Sequence, residues 1–430
     1  MGRLVGLELS NFKSYRGVTK VGFGESNFTS IIGPNGSGKS NMMDAISFVL
    51  GVRSNHLRSN ILKDLIYRGV LNDENSDDYD NEGAASSNPQ SAYVKAFYQK
   101  GNKLVELMRI ISRNGDTSYK IDGKTVSYKD YSIFLENENI LIKAKNFLVF
   151  QGDVEQIAAQ SPVELSRMFE EVSGSIQYKK EYEELKEKIE KLSKSATESI
   201  KNRRRIHGEL KTYKSPGLEV LFQGPRGSRY DEAEGRFEVI NNETEQLKAE
   251  EKKILNQFLK IKKKRKELFE KTFDYVSDHL DAIYRELTKN PNSNVELAGG
   301  NASLTIEDED EPFNAGIKYH ATPPLKRFKD MEYLSGGEKT VAALALLFAI
   351  NSYQPSPFFV LDEVDAALDI TNVQRIAAYI RRHRNPDLQF IVISLKNTMF
   401  EKSDALVGVY RQQQENSSKI ITLDLSNYAE

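Results

Sequence analysis

The sequence has no cysteine. Disulfides and thiolate zinc sites are therefore excluded within it, and a reducing compartment is the fitting environment. It has almost no net charge: 60 Lys and Arg stand against 62 Asp and Glu, leaving -2. No whole-molecule field then attracts DNA or a membrane, so any nucleic-acid contact must come from local patches. No apolar run approaches the roughly 20 residues needed to span a bilayer, and the N-terminus carries no signal-peptide pattern. No membrane partner is expected. Charge of both signs is plentiful, at 28% of residues beside 39% hydrophobic ones. That balance suits a soluble protein with a core and long solvated helices. A length of 430 residues leaves room for about three domains of ordinary size.

One stretch stands apart from the rest. Residues 215–228 read SPGLEVLFQGPRGS. The octapeptide at 218–225 resembles a picornaviral 3C-protease cleavage site, and its Gly, Ser and Pro flanks resemble cloning scars. The stretch reads as an engineered, cleavable linker replacing a native segment that could itself hold cysteines. Heptad spacing runs on both sides of it. The first seam is Tyr182, Leu185, Ile189, Leu192, Ala196, Ser199, Arg203, Ile206 and Leu210. The second is Tyr230, Ala233, Phe237, Ile240, Thr244, Leu247, Glu251, Ile254, Phe258, Ile261, Arg265 and Leu268. Sustained a/d spacing predicts a coiled coil, and a short linker forces its two helices antiparallel. Polar Ser199, Arg203, Glu251 and Arg265 weaken the seams. The basic clusters at 203–205 and 260–266 are read first as a solvated helix face, with DNA-backbone contact or nuclear import as the alternatives.

The ends of the chain read as α/β. Residues 4–9 and 27–32 are strand-like, and 41–50 form a helix with Met42, Ala45, Ile46, Val49 and Leu50 on its apolar side. Residues 71–90 read as a surface loop, and 92–126 as hairpins turning at Asn114-Gly115 and Asp122-Gly123. Residues 290–311 read as loop and 316–321 as strand. Helix at 340–350, strand at 358–361, helix at 373–383 and strand at 389–394 then alternate, which implies a mostly parallel sheet.

Gly33-Pro34-Asn35-Gly36-Ser37-Gly38-Lys39-Ser40 fits G-x-x-x-x-G-K-[ST] between a strand and a helix. Its glycines let backbone N–H groups turn in around phosphate oxygens, beside the positive end of the helix that starts near Lys39. Lys39 is expected to reach the β- and γ-phosphates and Ser40 to ligate Mg²⁺. Asp362 ends an apolar strand, where a carboxylate can meet Mg²⁺ through water. Glu363 is the candidate to polarise the attacking water, although paired acids after a strand also serve as helix N-caps. Leu334-Ser335-Gly336-Gly337-Glu338 opens a helix, as an anion site or simply a capping turn.

This order of P-loop, distant LSGGE and Asp-Glu resembles the ABC-type ATPase superfamily. The coiled-coil interruption narrows the likeness to SMC and related DNA-organising ATPases. Asn11-Phe12-Lys13-Ser14-Tyr15, residues 33–51, residues 334–339 and residues 361–369 resemble SMC heads, while 66–69 and 149–153 resemble the type-one SMC subunits of cohesin. The resemblance implies an ABC-type P-loop NTPase head of two lobes with a short antiparallel coiled coil. Its lobes would be 1–175 and 286–430, its coiled-coil helices 176–214 and 229–285, and its linker 215–228. It further implies that Gln151 ligates Mg²⁺, that Arg58 and Lys13 approach the nucleotide, that Asn41 belongs to the phosphate loop, and that Asp369 is the D-loop aspartate. Ser335, Gly336 and Gly337 would complete a partner head's ATP site. Ser394 departs from transporter ATPases, which carry a switch histidine there. ATP and Mg²⁺, a second SMC head, a kleisin C-terminal winged-helix domain held on the strand at 419–425, and DNA are the implied ligands and partners, with a nuclear, chromosomal setting. The rival readings are the head of a zinc-hook DNA-repair ATPase, a transporter ATPase, and a scaffold that binds ATP without hydrolysing it.

Overall fold

The computed structural model describes residues 2–52, 58–59, 61–68, 89–142, 147–150, 152–213, 225–289, 299–324, 326, 331–384 and 388–425. Gln151, linker residues 215–224, most of the loop expected at 71–90 and the first part of the one expected at 290–311 lie outside them. The strands are β1 (Gly2–Phe12), β2 (Tyr15–Gly22), β3 (Phe28–Ile32), β4 (Ser91–Lys100), β5 (Lys103–Ser112), β6 (Thr117–Ile121), β7 (Lys124–Val126), β8 (Leu148–Val149), β9 (Asn301–Ile306), β10 (Ile317–Thr322), β11 (Phe358–Asp362), β12 (Gln389–Ile393), β13 (Ala405–Gln412) and β14 (Ser417–Asp424). The helices are α1 (Lys39–Val49), α2 (Tyr128–Asn137), α3 (Asp153–Ala158), α4 (Pro162–Ser173), α5 (Lys179–Tyr213), α6 (Pro225–Thr288), α7 (Gly336–Tyr353), α8 (Ile370–His383) and α9 (Asn397–Phe400).

The chain divides into two compact units, Met1–Val172 with Thr272–Glu430, and Ser173–Lys271. The first contains two six-stranded sheets. One, in the order β2-β1-β4-β5-β6-β7, is antiparallel throughout. Its β6–β7 turn places Asp122 and Gly123 at φ 49° and 77°, the left-handed pair that an Asp-Gly hairpin favours. The other sheet runs β14-β13-β3-β12-β11-β8. Five of its strands are mutually parallel, and β14 closes the edge antiparallel to β13. N-terminal β3 therefore lies between C-terminal β12 and β13.

Helix α1 differs from its expected one-sided form. Met43, Asp44, Ser47 and Phe48 are buried along with Met42, Ala45, Ile46 and Val49, because α1 shares one apolar cluster with both sheets. A helix covered on every side loses its amphipathic signature. The loop expected at 290–311 is also corrected. Residues 301–306 form β9, paired antiparallel with β10 from Asn301↔Thr322 to Ile306↔Ile317. Only the small Ala302 and Leu304 point inward along it, too weak an alternation to read as a strand.

In the second unit α5 and the first part of α6 run antiparallel. Tyr182 meets Phe258, Ser199 meets Thr244, Arg203 meets Asn241 and His207 meets Phe237, so one partner's number falls as the other's rises. Three of the polar seam residues are accommodated rather than disruptive. Ser199 and Thr244 hydroxyls bond at 2.7 Å, Arg203 donates to Asn241 at 3.1 Å, and buried Arg265 lies over the Tyr182 ring. Arg265 thereby leaves the basic cluster at 260–266 with one cation fewer for any outside partner.

Candidate nucleotide site

In a parallel sheet the loops beyond the C-terminal strand ends share one edge, where ligands are held. Here β3 feeds the loop 33–40, β11 ends at Asp362 and β12 ends just before Ser394. Since β12 lies between β3 and β11, the Gly-rich loop and the paired acids, more than 300 residues apart in sequence, come to that single edge.

The loop is built by close approach. Gly33 has φ 155°, and a Cβ there would stand 2.1 Å from the Val409 carbonyl oxygen. Gly38 has φ 111°, and its Cβ would meet Ser418 Oγ at 2.5 Å and Ser14 Oγ at 2.8 Å. The Ser418 hydroxyl donates to the Ser37 carbonyl at 2.6 Å, the Tyr15 hydroxyl to the Gly38 carbonyl at 3.0 Å, and Asn41 Nδ2 to Ser14 Oγ at 2.7 Å. Lys39 is buried, with Nζ donating to the carbonyls of Gly33 at 2.9 Å and Pro34 at 3.1 Å. Pro34, Asn35 and Gly36 form an exposed crest, while Ser37 is buried and Ser40 half-buried.

Beneath the loop lie two buried carboxylates, each held by one cation. Lys13 Nζ is 2.5 Å from Asp44 Oδ2, and Arg58 Nη2 is 2.5 Å from Asp362 Oδ2. Burial raises the Asp44 carboxyl above the usual range, with Lys13 pulling the other way. Burial likewise pushes Asp362 up to about 6, opposed by Arg58 and reinforced by Glu363. Oxygen Oδ1 of Asp362 is buried without a hydrogen-bond partner. Such an atom normally has one, so its orphaned state, at the sheet edge that also carries the loop with Ser40, suits a hard divalent cation.

Glu363 is half-buried with φ 49°. A left-handed backbone at a residue with a Cβ costs about 1–3 kcal/mol and persists where surroundings enforce it, most often at functional sites. Its N–H donates to the Ile393 carbonyl at 2.9 Å. Lys13 and Arg58 share this conformation, with φ 47° and 49°.

The remaining candidates form a separate group. Ser335 precedes α7 in a capping box, its N–H donating to the Glu338 carboxylate at 3.0 Å, which also takes a bond from Lys326 at 2.5 Å. Ser335 and Gly336 are exposed, and a Cβ on Gly337 would lie 3.3 Å from the Ala367 carbonyl. Asp369 accepts from the Asn372 N–H at 2.8 Å as the N-cap of α8. Among the described residues no hydrogen bond joins Ser335, Gly336, Gly337 or Asp369 to the loop 33–40. Sequence reasoning gave no site role to Asp44, Ser14, Tyr15 or Ser418. Asp44 was visible as an acid inside an apolar helix, whereas nothing local marks Ser418.

The sequence matches the RecF/RecN/SMC N-terminal domain family over residues 3–418. It is 34% identical to Structural maintenance of chromosomes protein 1 of Saccharomyces cerevisiae, in an alignment of 1225 positions covering 100% of both chains. With 430 residues set against those 1225 positions, most of the yeast protein faces a gap. The protein of the same name in Schizosaccharomyces pombe is 48% identical over 251 residues, which are 58% of this chain and 20% of that one. Against that relative the chain thus spans about a fifth of the length. Among solved structures, the Smc head domain of Pyrococcus furiosus with an extended coiled coil, bound to the C-terminal domain of ScpA, superposes with TM-score 0.68 at 30% identity, covering 100% of this chain and 98% of that one. An SmcHead bound to the C-winged helix domain of ScpA gives 0.67 at 26% identity, covering 99% of each. With the P-loop and the paired acids on one sheet edge, the chain belongs to the RecF/RecN/SMC N-terminal domain family, as an SMC1-like head of the ABC-type ATPase class.

Proposed function

We propose that this head binds ATP with Mg²⁺ and hydrolyses it in a site completed by a second head. The observation that carries the reading is the placing of Lys39 and the Asp362–Glu363 pair at the ends of β3 and β11, either side of β12 in one parallel sheet. The amides of residues 36–40 and Lys39 would cradle the phosphates, with Lys13, Asn41 and Arg58 beside them. Ser40 and Asp362, joined by Gln151, would hold Mg²⁺, which would supply neutralisation of phosphate charge when bound. Glu363 would orient the attacking water and take up its proton. The exposed Ser335 and Gly336 with half-buried Gly337, which among the described residues make no hydrogen bond to this chain's own P-loop, are suited to the γ-phosphate held by a facing head, and exposed Asp369 to the interface between heads.

By analogy with the ScpA-bound heads, the C-terminal lobe would take a kleisin winged-helix domain. Strand β14 fits that role as a sheet edge on which Ile421 and Leu423 are 63% and 48% exposed. In this reading the lobes are 1–175 and 286–430, and the helices 176–214 and 229–285 are the roots of a longer coiled-coil arm. ATP-driven engagement of two heads would then open and close a DNA-entrapping ring in the nucleus, as in sister chromatid cohesion. Glu363→Gln keeps the side chain's size but lacks the basic oxygen. It should accumulate an ATP-bound dimer in light scattering, with turnover lowered on the order of a hundredfold or more. Ser335→Arg should keep ATP binding and lose both dimer and turnover. Near-normal turnover in dilute, monomeric Ser335→Arg protein would rule out the shared site.

A further inference from the structure

The segment that carries Glu363 is tied to the loop after β12 by a buried side-chain bond with no part in the reading above. Ser394 is fully buried and Asp365 nearly so, and the Ser394 hydroxyl donates to Asp365 Oδ2 at 2.6 Å. The same hydroxyl oxygen accepts from the Lys396 N–H at 3.0 Å, and Lys396 Nζ donates to the Leu368 carbonyl. Around this lie backbone bonds from Glu363 N to the Ile393 carbonyl at 2.9 Å, from Ala366 N to the Glu363 carbonyl at 3.2 Å, and from Ser394 N to the Ile31 carbonyl at 3.2 Å. Residues 363–368 are thus pinned at 393, 394 and 396, and through Ser394 to the strand that feeds the phosphate loop.

We infer that Ser394 and Asp365 are positioning residues for Glu363, their bond holding its left-handed backbone so that the carboxylate faces the reacting water. This rests on the ATPase reading and deepens it. An extended backbone suits Glu363 better than φ 49°, since Cβ crowds the carbonyl in the left-handed region. The local turn alone therefore does not select the observed form. A bond from Asp365, two residues downstream, to the likewise buried Ser394 does, because leaving either group unpaired in the interior is costly. Ser394 acts in this scheme without touching the nucleotide.

The test uses the full chain with ATP and Mg²⁺, at protein concentrations that support turnover. Ser394→Ala and Asp365→Ala should lower kcat about tenfold or more with KM and calorimetric ATP affinity within about twofold. Asp365→Asn, which keeps an acceptor for the Ser394 hydroxyl, should restore most of kcat. In hydrogen exchange without nucleotide, the amides of 363–366 should exchange faster in the two alanine variants and at the wild-type rate in Asp365→Asn. Loss of melting temperature with unchanged kcat per folded molecule would overturn the inference, as would equal kcat in Asp365→Asn and Asp365→Ala. The latter pair decides if Ser394→Ala does not fold. Glu363→Gln run alongside separates the two levels: if it retains turnover, the ATPase reading fails, whereas its inactivity beside normal Ser394→Ala overturns only the positioning role.

Discussion

Lys39 illustrates how much a single buried side chain can decide. Its ammonium sits among the loop's own carbonyls, where under the proposed function a flexible cation would follow the phosphate oxygens. Lys39→Ile should therefore abolish ATP binding in calorimetry, and retained affinity would show that the loop holds something else. Asp362 gives a second prediction, through pH. Its folded carboxyl is raised from an ordinary value of 3.8 to about 6, so the folded state binds its proton more tightly than the unfolded chain. The favourable contribution is complete below the ordinary value and is lost as pH rises through about 6. Above that pH the protein carries a buried charge that Arg58 only partly offsets. Asp362→Asn mimics the protonated form, so it should be more stable than wild type at pH 8 by up to about 3 kcal/mol. That advantage should shrink toward pH 5. Scanning calorimetry of both proteins without nucleotide checks it, and a gap independent of pH would contradict the assignment.

At the scale of elements, local pattern and long-range packing part company. The coiled-coil seams were legible because heptad spacing is local, and Tyr182, Leu185, Ala196, Ile206 and Ala233 are buried where it placed them. The polar seam positions were read as weak points because their partners lie on the opposite helix, invisible along either one. The Tyr182 ring packs at a tilt against Phe258 at 4.9 Å and lies beneath Arg265 at 5.0 Å. Tyr182→Ala should thus cost about 3 kcal/mol through lost burial and the cavity left behind, read as an earlier loss of ellipticity in urea. A change under about 0.5 kcal/mol would mean that the seam is not anchored there. The α/β alternation and the P-loop were equally readable, since each is a contiguous pattern. What escaped was decided by distant chain: α1 buried all round, β9 recognisable only beside β10, and Gly38 fenced in by Ser418. Ser394 was noted for its departure from transporter ATPases, but its bond to Asp365 escaped for the same reason, the two being 29 residues apart and brought together by the parallel pairing of β11 with β12.

The whole first unit is interleaved rather than assembled from consecutive pieces. Strand β3 is flanked by β12 and β13, the buried Gln389 side chain bonds both backbone groups of Leu4 at 3.0 Å, and Ser418 reaches back to Ser37. Cleavage between Gln223 and Gly224 should accordingly leave one particle on gel filtration at neutral pH, because a shared central sheet buries far more than a transient contact does. Two separated fragments without denaturant would contradict this. The same interleaving bears on how the protein is made. The stretch that becomes the phosphate loop emerges early in synthesis, yet Ser418, which bonds its Ser37 carbonyl, lies 381 residues downstream, and both strands that flank β3 are C-terminal. Until those arrive, β3 offers two unpaired edges and α1 an uncovered apolar surface, the features that make nascent chains adhere to one another. The nucleotide loop is thus the first signature to be translated and among the last to take shape. An arrested or truncated chain would carry that signature without the means to use it.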